Sequence, residues 1–183
     1  MSLPNKLTMI RVFLVPILIV LYYLKNIIGD WTSLILAVIF VVASLTDYFD
    51  GHIARKRNIV TSFGKFFDPL ADKLLVMSLL VILTSTDMVS LPLYIVIIII
   101  AREFFVSGIR MVCVLEGTVI AASKLGKYKT ATTMVAIIIL LISEYLEFLY
   151  IPGMVFMYVA LALTIISGID YFIKNKGAIV KTI

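Results

Sequence analysis

The sequence predicts an all-α membrane protein with about six transmembrane helices. Of its 183 residues, 62% are hydrophobic and only 15% are charged, and the mean hydropathy of +1.14 lies well outside the range of soluble domains. A helix crosses a hydrocarbon core of about 30 Å with roughly 20 residues, so a chain of this length forms about six spans joined by short connections. We therefore expect a single transmembrane domain over residues 1–183.

Six apolar runs separated by short polar connections define the expected spans. They cover approximately residues 7–24, 32–53, 63–83, 91–114, 126–145 and 152–172. The first run follows Lys6 and contains Arg11, as a signal peptide would, but no A-x-A cleavage site follows it, and we interpret it as a span. Trp31 begins the second run, at a position where an interfacial aromatic residue is expected.

Basic residues predict the orientation of these spans. With six spans, 15 of the 16 Lys and Arg residues fall on the side of the two termini, and Lys25 is the exception. The positive-inside rule then places both termini in the cytoplasm of a multi-pass protein of the cell membrane. The net charge of +5 suits anionic membrane lipids and phosphorylated substrates. Nucleic acid is not expected as a partner, because no basic run stands apart from the apolar segments.

Four aspartates lie where the second predicted helix ends and the third begins. Asp47 and Asp50 are spaced i, i+3 and share one helix face. Asp68 and Asp72 are spaced i, i+4 and share a face of the next helix, which is expected to be its antiparallel neighbour. One unpaired charge in lipid costs roughly 3 kcal/mol, so four would cost about 12 kcal/mol. Hard divalent cations with oxygen ligands would neutralise them, and we expect a metal site here.

Small residues and an arginine accompany the aspartates. Gly51, Ala54 and Arg55 continue the stripe of Asp47, and Gly64 occupies the corresponding stripe of the next helix. Small side chains leave room for a ligand or for a second helix, so plain helix packing is the alternative interpretation. Zinc is not expected, since Cys113 and His52 are the only residues of their types.

Polar residues also occur at the start of the first span. Asn5, Thr8 and Arg11 follow one another at i, i+3 and i+6, so they can point to one side of the helix. They could form a polar wall for a lipid headgroup, or serve as a helix cap and a snorkelling arginine.

Cationic residues in the fourth and fifth spans are candidate phosphate ligands. Arg102 and Arg110 lie within the fourth apolar run, where a guanidinium either binds phosphate oxygens bidentately or pairs with an aspartate for structure. Lys127 and Lys129 begin the fifth span, and they either set the topology or contribute to the same phosphate site.

The acidic pattern resembles the signature of the CDP-alcohol phosphotransferase family. It reads Asp47-x-x-Asp50-Gly51-x-x-Ala54-Arg55, eight intervening residues, and Gly64-x-x-x-Asp68-x-x-x-Asp72, and all eight fixed positions match. The likeness covers the whole chain. Three further segments resemble the subgroup that makes phosphatidylglycerol phosphate: Pro4-Asn5-x-Leu7-Thr8-x-x-Arg11, Arg102-Glu103 with Arg110, and Gly126-Lys127-x-Lys129-Thr130.

The resemblance implies a fold, a reaction and a set of site residues. It implies six transmembrane helices in a homodimer, a cytoplasmic site with Mg2+ or Mn2+, and transfer from CDP-diacylglycerol to glycerol 3-phosphate with release of CMP. By this likeness, Asp47, Asp50, Asp68 and Asp72 bind metal and Asp72 is also the general base. CDP-diacylglycerol would contact Asn5, Thr8, Gly51, Ala54, Arg55 and Gly64, and glycerol 3-phosphate would contact Arg102, Arg110, Lys127 and Lys129.

Two alternatives stay open at this point. The acceptor could be another alcohol, such as inositol phosphate, serine or phosphatidylglycerol, although an uncharged acceptor would leave the lysines without a ligand. The aspartates could instead belong to a divalent-cation transporter. Cation transport needs neither Arg55 nor the cationic face, and we therefore favour the enzyme.

Overall fold

Helices make up the part of the chain that the structure describes, and no strand occurs there. The computed structural model describes residues 3–29, 31–56, 62–87, 89–115 and 123–180, and among these the side chains of 9–29, 31–46, 70–71, 73–87, 89–113 and 123–177. The helices are α1 (Leu3–Tyr23), α2 (Lys25–Ile28), α3 (Trp31–Lys56), α4 (Ser62–Leu83), α5 (Leu93–Leu115), α6 (Lys124–Ser143) and α7 (Tyr150–Val180), with a 3-10 turn at Glu147–Leu149. The predicted all-α fold is confirmed.

Each of the six predicted apolar runs falls on one long helix. Two described stretches, Lys124–Ser143 and Glu147–Gly177, are long and apolar enough to cross a membrane. Shorter apolar helical stretches cover Met9–Tyr23, Trp31–Thr46 and Lys73–Leu83. Helix α5 carries two arginines and a glutamate among its apolar residues. Helices long enough to span a membrane are therefore present, and the number of six spans stays a prediction.

The short connection expected between the first two spans contains a helical segment of its own. The four-residue helix α2 precedes the turn and is too short to produce a periodic pattern in the sequence. It ends at Gly29, whose φ of 76° lies in the left-handed region that glycine adopts without steric cost. The hydroxyl of Thr32 donates a hydrogen bond of 2.8 Å to the Gly29 carbonyl, which joins the turn to the first turn of α3.

The chain forms two compact units, and the first comprises Met1–Leu91 and Ile137–Tyr150. In this unit α1 packs against both α3 and α4. Its large fully buried side chains are Leu18, Leu36, Phe40, Leu79, Leu80, Leu83, Leu91, Ile137, Leu140 and Leu141. Such large aliphatic and aromatic groups keep the helices at fixed distances because their packing tolerates few voids.

Hydrogen bonds at one end of this unit join α1 and α2 to the turn after α4. The Tyr22 hydroxyl donates to the Ser85 carbonyl, and Lys25 forms an ion pair of 3.0 Å with Asp87. The hydrogen bond to Asp87 raises the pKa of Lys25 above its usual value. Since Tyr22 lies in the last turn of α1 and Ser85 follows the end of α4, these two helices run in the same direction.

The second unit comprises Pro92–Ala136 and Ile151–Ile183. Within it α5 and α7 run parallel, because the Tyr94 hydroxyl lies 3.0 Å from that of Tyr158 and Arg102 donates to Ser167 at 3.0 Å further along both helices. Buried residues recur at helical spacing on both helices: Ile95, Ile99, Val106 and Cys113 on α5, and Met157, Ala160, Thr164, Ser167 and Tyr171 on α7.

Candidate functional site

The four predicted metal ligands lie on two helices of the first unit. Asp47 and Asp50 belong to α3, and Asp68 and Asp72 belong to α4, so the helical backbone assumed for their spacing is present. Their side chains lie outside the described residues, as do those of the predicted donor-site residues Asn5, Thr8, Gly51, Ala54, Arg55 and Gly64. Among the described side chains, no group of three or more His, Cys, Asp or Glu could hold a metal ion. Convergence of the aspartates stays a prediction.

An apolar groove lies between α1 and α3. It has a volume of about 330 Å³ and is lined by Ile10, Arg11, Leu14, Val38, Ile39, Val42, Ala43 and Thr46. Arg11 is only 6% exposed and lines the groove together with Thr46, which directly precedes Asp47. An early residue of α1 thus lies beside a late residue of α3, so the two helices are antiparallel. The groove combines a hydrocarbon lining with one cationic residue at the end nearest the acidic motif.

Arg102 and Lys129 share one carboxylate in the second unit. Arg102 Nη1 donates a hydrogen bond of 2.9 Å to Glu103 Oε1, and Lys129 Nζ donates to the same oxygen. The side chains of Arg102 and Glu103 are each 15% exposed, and that of Lys129 is 5% exposed. Among the described residues, these two cations and one carboxylate sum to a net charge of +1 in a largely dehydrated cluster.

Helix α7 holds the guanidinium of Arg102 in place. Its Nη2 donates to the hydroxyl of Ser167, which in turn donates to the Thr164 carbonyl at 3.2 Å. The next residue is Gly168, where an added Cβ would lie 3.3 Å from Cγ of Arg102. A larger residue there would have to displace the arginine, so the absent side chain allows α7 to approach the arginine stem closely.

Arg110 has a different environment from Arg102. Its guanidinium carbon lies 6.0 Å from the centre of the Tyr171 ring, at the outer limit of a cation–π contact. Within the described part of the chain, Nε of Arg110 and the hydroxyl of Tyr171 are buried without a hydrogen-bond partner, as is Nε of Arg102. Of the other predicted acceptor-site cations, Lys127 is exposed on α6.

The structure therefore groups three of the four predicted acceptor-site cations with residues that the sequence analysis did not assign. Glu103, Ser167 and Tyr171 contact the predicted residues, but only Glu103 is close to one of them in sequence. Thr164, Ser167 and Tyr171 recur at i, i+3 and i+7 in an apolar helix, and this polar stripe was the signal available for finding them.

Comparison with known proteins identifies the family. The family model described as CDP-alcohol phosphatidyltransferase matches residues 1–166. This chain belongs to the CDP-alcohol phosphatidyltransferase family. The resemblance inferred from the eight-position motif is thereby confirmed, and with it the membership of a membrane-embedded enzyme family.

Curated relatives match nearly the entire chain. The protein of Bacillus subtilis named CDP-diacylglycerol–glycerol-3-phosphate 3-phosphatidyltransferase is 42% identical over 192 aligned positions, which cover 97% of each chain. Its namesake in Rickettsia typhi is 43% identical over 175 positions, covering 93% of this chain and 95% of the relative. The protein of that name in Haemophilus influenzae is 36% identical over 187 positions, covering 100% of this chain and 97% of the relative.

We predict that Glu103→Gln lowers the free energy of unfolding by about 3 kcal/mol, because it leaves two dehydrated cations without their shared anion. Asp170→Asn is the matched control, since it removes the partner of the more exposed Lys174 and should cost less than about 0.5 kcal/mol. Denaturant unfolding of both variants in detergent measures the difference. Equal losses would show that the Glu103 cluster contributes no more than a surface ion pair.

Proposed function

We propose that this chain transfers a phosphatidyl group from CDP-diacylglycerol to glycerol 3-phosphate, giving phosphatidylglycerol phosphate and CMP in phospholipid biosynthesis. The observation that carries this proposal is the complete acidic motif in a chain 42% identical, over 97% of its length, to a relative named for that reaction. The cationic residues of the second unit provide a physical reason for a phosphorylated acceptor.

The reaction is a direct displacement at phosphorus. A hydroxyl oxygen of glycerol 3-phosphate attacks the β-phosphorus of CDP-diacylglycerol, and the new P–O bond forms as the bond to the bridging oxygen breaks. CMP leaves with that electron pair, and the hydroxyl proton passes to a carboxylate, for which we propose Asp72. Such a transfer depends mainly on positioning and on stabilisation of charge, and it requires no covalent intermediate with the protein.

The donor site is proposed to include the acidic motif. Asp47, Asp50, Asp68 and Asp72 offer carboxylate oxygens, the donor set that suits Mg2+ or Mn2+. A divalent ion bound there supplies countercharge to the diphosphate and to the leaving oxygen. By resemblance, Asn5, Thr8 and Arg55 contact the donor, while Gly51, Ala54 and Gly64 leave space for the nucleotide.

The groove between α1 and α3 fits an acyl chain of the donor. Its lining is almost entirely apolar, and it ends at Arg11 and Thr46, next in sequence to Asp47. An acyl chain in the groove would therefore place its headgroup near the acidic motif, with the Arg11 guanidinium close to the phosphates.

The acceptor site is proposed to use Arg102, Arg110, Lys127 and Lys129. A phosphate dianion needs countercharge in a dehydrated site, and the Glu103 cluster retains a net positive charge while Arg110 has no ion pair with a described residue. A neutral alcohol such as serine would make no use of these charges. This argument favours glycerol 3-phosphate over an uncharged acceptor, whereas inositol phosphate remains the competitor with similar chemistry.

The membrane arrangement follows from the same features. We propose that the six long helices all span the cell membrane as one catalytic domain, with both termini and the active site facing the cytoplasm. The excess of basic residues on that side supports the orientation. A homodimer is proposed by resemblance to the family.

CMP release by the purified protein tests the proposed reaction. The protein would be given CDP-diacylglycerol, Mg2+ or Mn2+, and a panel of acceptors comprising glycerol 3-phosphate, inositol phosphate, serine and phosphatidylglycerol. We expect release with glycerol 3-phosphate alone. Release with inositol phosphate instead would reassign the acceptor within the family, and metal uptake into vesicles without CMP formation would support a transporter.

Replacement of Asp72 tests the role of the proposed base. Asp72→Asn should lower kcat by about 10³-fold or more, because it removes both the proton acceptor and a metal ligand, while the protein stays folded. Asp87→Asn removes a carboxylate of the same unit that pairs with Lys25, and it should keep the wild-type rate. A wild-type rate for Asp72→Asn would exclude Asp72 as the base.

Replacement of Ala43 tests the proposed acyl groove. Ala43→Phe places a ring in the groove and should raise the KM for dioleoyl CDP-diacylglycerol about tenfold, with little effect on a donor that has six-carbon chains. The short donor serves as the internal control for folding and catalysis. Equal changes for both donors would show that no acyl chain occupies the groove.

A further inference from the structure

A second cavity of the first unit lies at the end of α3 opposite to the acidic motif. It has a volume of about 200 Å³ and is lined by Tyr22, Lys25, Asn26, Gly29, Thr32, Ser33, Thr86, Asp87 and Glu144. Thr32 and Ser33 belong to the first turn of α3, whereas Asp47 and Asp50 lie towards its other end. The cavity exceeds several times the roughly 30 Å³ that one water occupies in the liquid, so a small polar group fits into it. The proposed reaction makes no use of this cavity.

The charged residues that line this cavity do not balance. Lys25 forms an ion pair of 3.0 Å with Asp87, and its Nζ lies 5.4 Å from the centre of the Tyr22 ring. Glu144 is half-buried and forms no ion pair with a described residue. One cation and two carboxylates therefore give the described lining a net charge of −1. The charge that the cavity lacks is a positive one.

The structural contact of Glu144 does not require its charge. Its Oε1 accepts a hydrogen bond of 2.9 Å from the backbone N–H of Val89, which joins the end of α6 to the connection between α4 and α5. The amide oxygen of a glutamine would accept the same hydrogen bond without the cost of a partly dehydrated negative charge. A carboxylate that is retained in such a place indicates a cation that binds to it.

The buried hydroxyls of the cavity offer acceptors to a ligand. Thr32 is 4% exposed and Thr86 is 6% exposed. Thr32 donates its hydroxyl hydrogen to the Gly29 carbonyl at 2.8 Å, and Thr86 donates to the Leu83 carbonyl at 3.1 Å. Since a hydroxyl has only one hydrogen, each oxygen presents lone pairs to the cavity. A primary ammonium group carries three N–H donors and one positive charge, which match two hydroxyl oxygens and one carboxylate.

Aromatic residues indicate the level of the cavity in the membrane. Trp31 precedes Thr32, Tyr145 follows Glu144, and the two aromatic rings lie 5.5 Å apart. Both rings are exposed, and exposed Trp and Tyr are enriched at the level of the lipid headgroups. A lipid headgroup and a soluble amine therefore both have access to this level.

We propose that this cavity binds a primary ammonium group, with Glu144 as the counterion and the hydroxyls of Thr32 and Thr86 as further acceptors. The group belongs to an aminoethyl lipid headgroup or to a free amine, because both carry the chemistry that the cavity recognises. The ion pair with Asp87 engages Lys25, so that Lys25 does not neutralise Glu144. The site lies at the other end of α3 from the acidic motif, and the inference does not depend on the proposed reaction.

Ethanolamine and choline test the site in the wild-type protein. Choline has the same charge but no N–H donor, so we expect its Kd to be about tenfold higher than that of ethanolamine. Calorimetric titration of each amine into the protein in detergent measures the two constants. Equal affinity for both amines, or no measurable binding of ethanolamine, would overturn the proposal without the need for any variant.

Replacement of Glu144 tests the counterion. Glu144→Gln retains the acceptor for Val89 and removes only the charge, so the fold should be kept and the Kd for ethanolamine should rise about tenfold. Glu147→Gln is the matched control, because this exposed carboxylate three residues further along the chain does not line the cavity. An unchanged Kd in Glu144→Gln, or an equal rise in the control, would contradict the assignment.

Nanodiscs distinguish the two sources of the ammonium group. Ethanolamine would be titrated into wild-type protein in phosphatidylcholine nanodiscs with and without phosphatidylethanolamine. Binding that phosphatidylethanolamine abolishes assigns the cavity to a lipid headgroup, and equal binding in both assigns it to a soluble amine. Absence of binding in both nanodiscs overturns the site. None of these titrations involves turnover, so their failure would leave the proposed transfer to glycerol 3-phosphate unaffected.

Discussion

The need to neutralise charge inside apolar helices governs the arrangement of this protein. A charged group in a hydrocarbon environment is costly unless a partner compensates it, and the chain places cations and carboxylates in the middle of long apolar segments. In the second unit, Glu103 satisfies this requirement for Arg102 and Lys129 at once. One glutamate thereby links α5 to α6 and binds two of the cations proposed for the acceptor site.

Close helix packing makes that compensation possible. Thr164 and Ser167 are fully buried on α7, and Gly168 presents no side chain to the stem of Arg102. Because these residues are small, α7 comes close enough for the Ser167 hydroxyl to accept a hydrogen bond from the second terminal nitrogen of Arg102. A helix with leucines at these positions would pack well against α5 but would leave that nitrogen without a partner. The polar stripe of α7 therefore serves packing and electrostatics together.

The sequence predicts the helices and the family well because both depend on local patterns. An apolar run of about 20 residues predicts a helix without knowledge of its neighbours, and the eight-position motif lies within 26 consecutive residues, 47–72. The small helix α2 was missed because four residues carry no periodicity. The aspartates lie on helices α3 and α4, and their shared faces and convergence on metal stay predictions because their side chains lie outside the described part of the chain.

The contacts of the cationic residues could not be read from the sequence. Adjacent residues on a helix point about 100° apart, so Arg102 and Glu103 do not suggest an ion pair, and an aspartate partner is the simpler expectation. The pair forms because the arginine side chain is long enough to fold back to its neighbour. Ser167 and Tyr171 lie more than 60 residues from their partners, and their roles follow from the parallel packing of α5 and α7, which no local pattern encodes.

The carboxylate shared by Arg102 and Lys129 also bears on turnover. A pocket with only unpaired cations would bind the phosphate of the substrate and the identical phosphate of the product equally tightly. Such binding slows product release and does not lower the barrier of the chemical step. Glu103 offsets one of these positive charges internally, within the cluster itself. In the proposed reaction, the Glu103 carboxylate lowers the affinity of the site for phosphatidylglycerol phosphate, so that the newly made lipid can diffuse away into the bilayer.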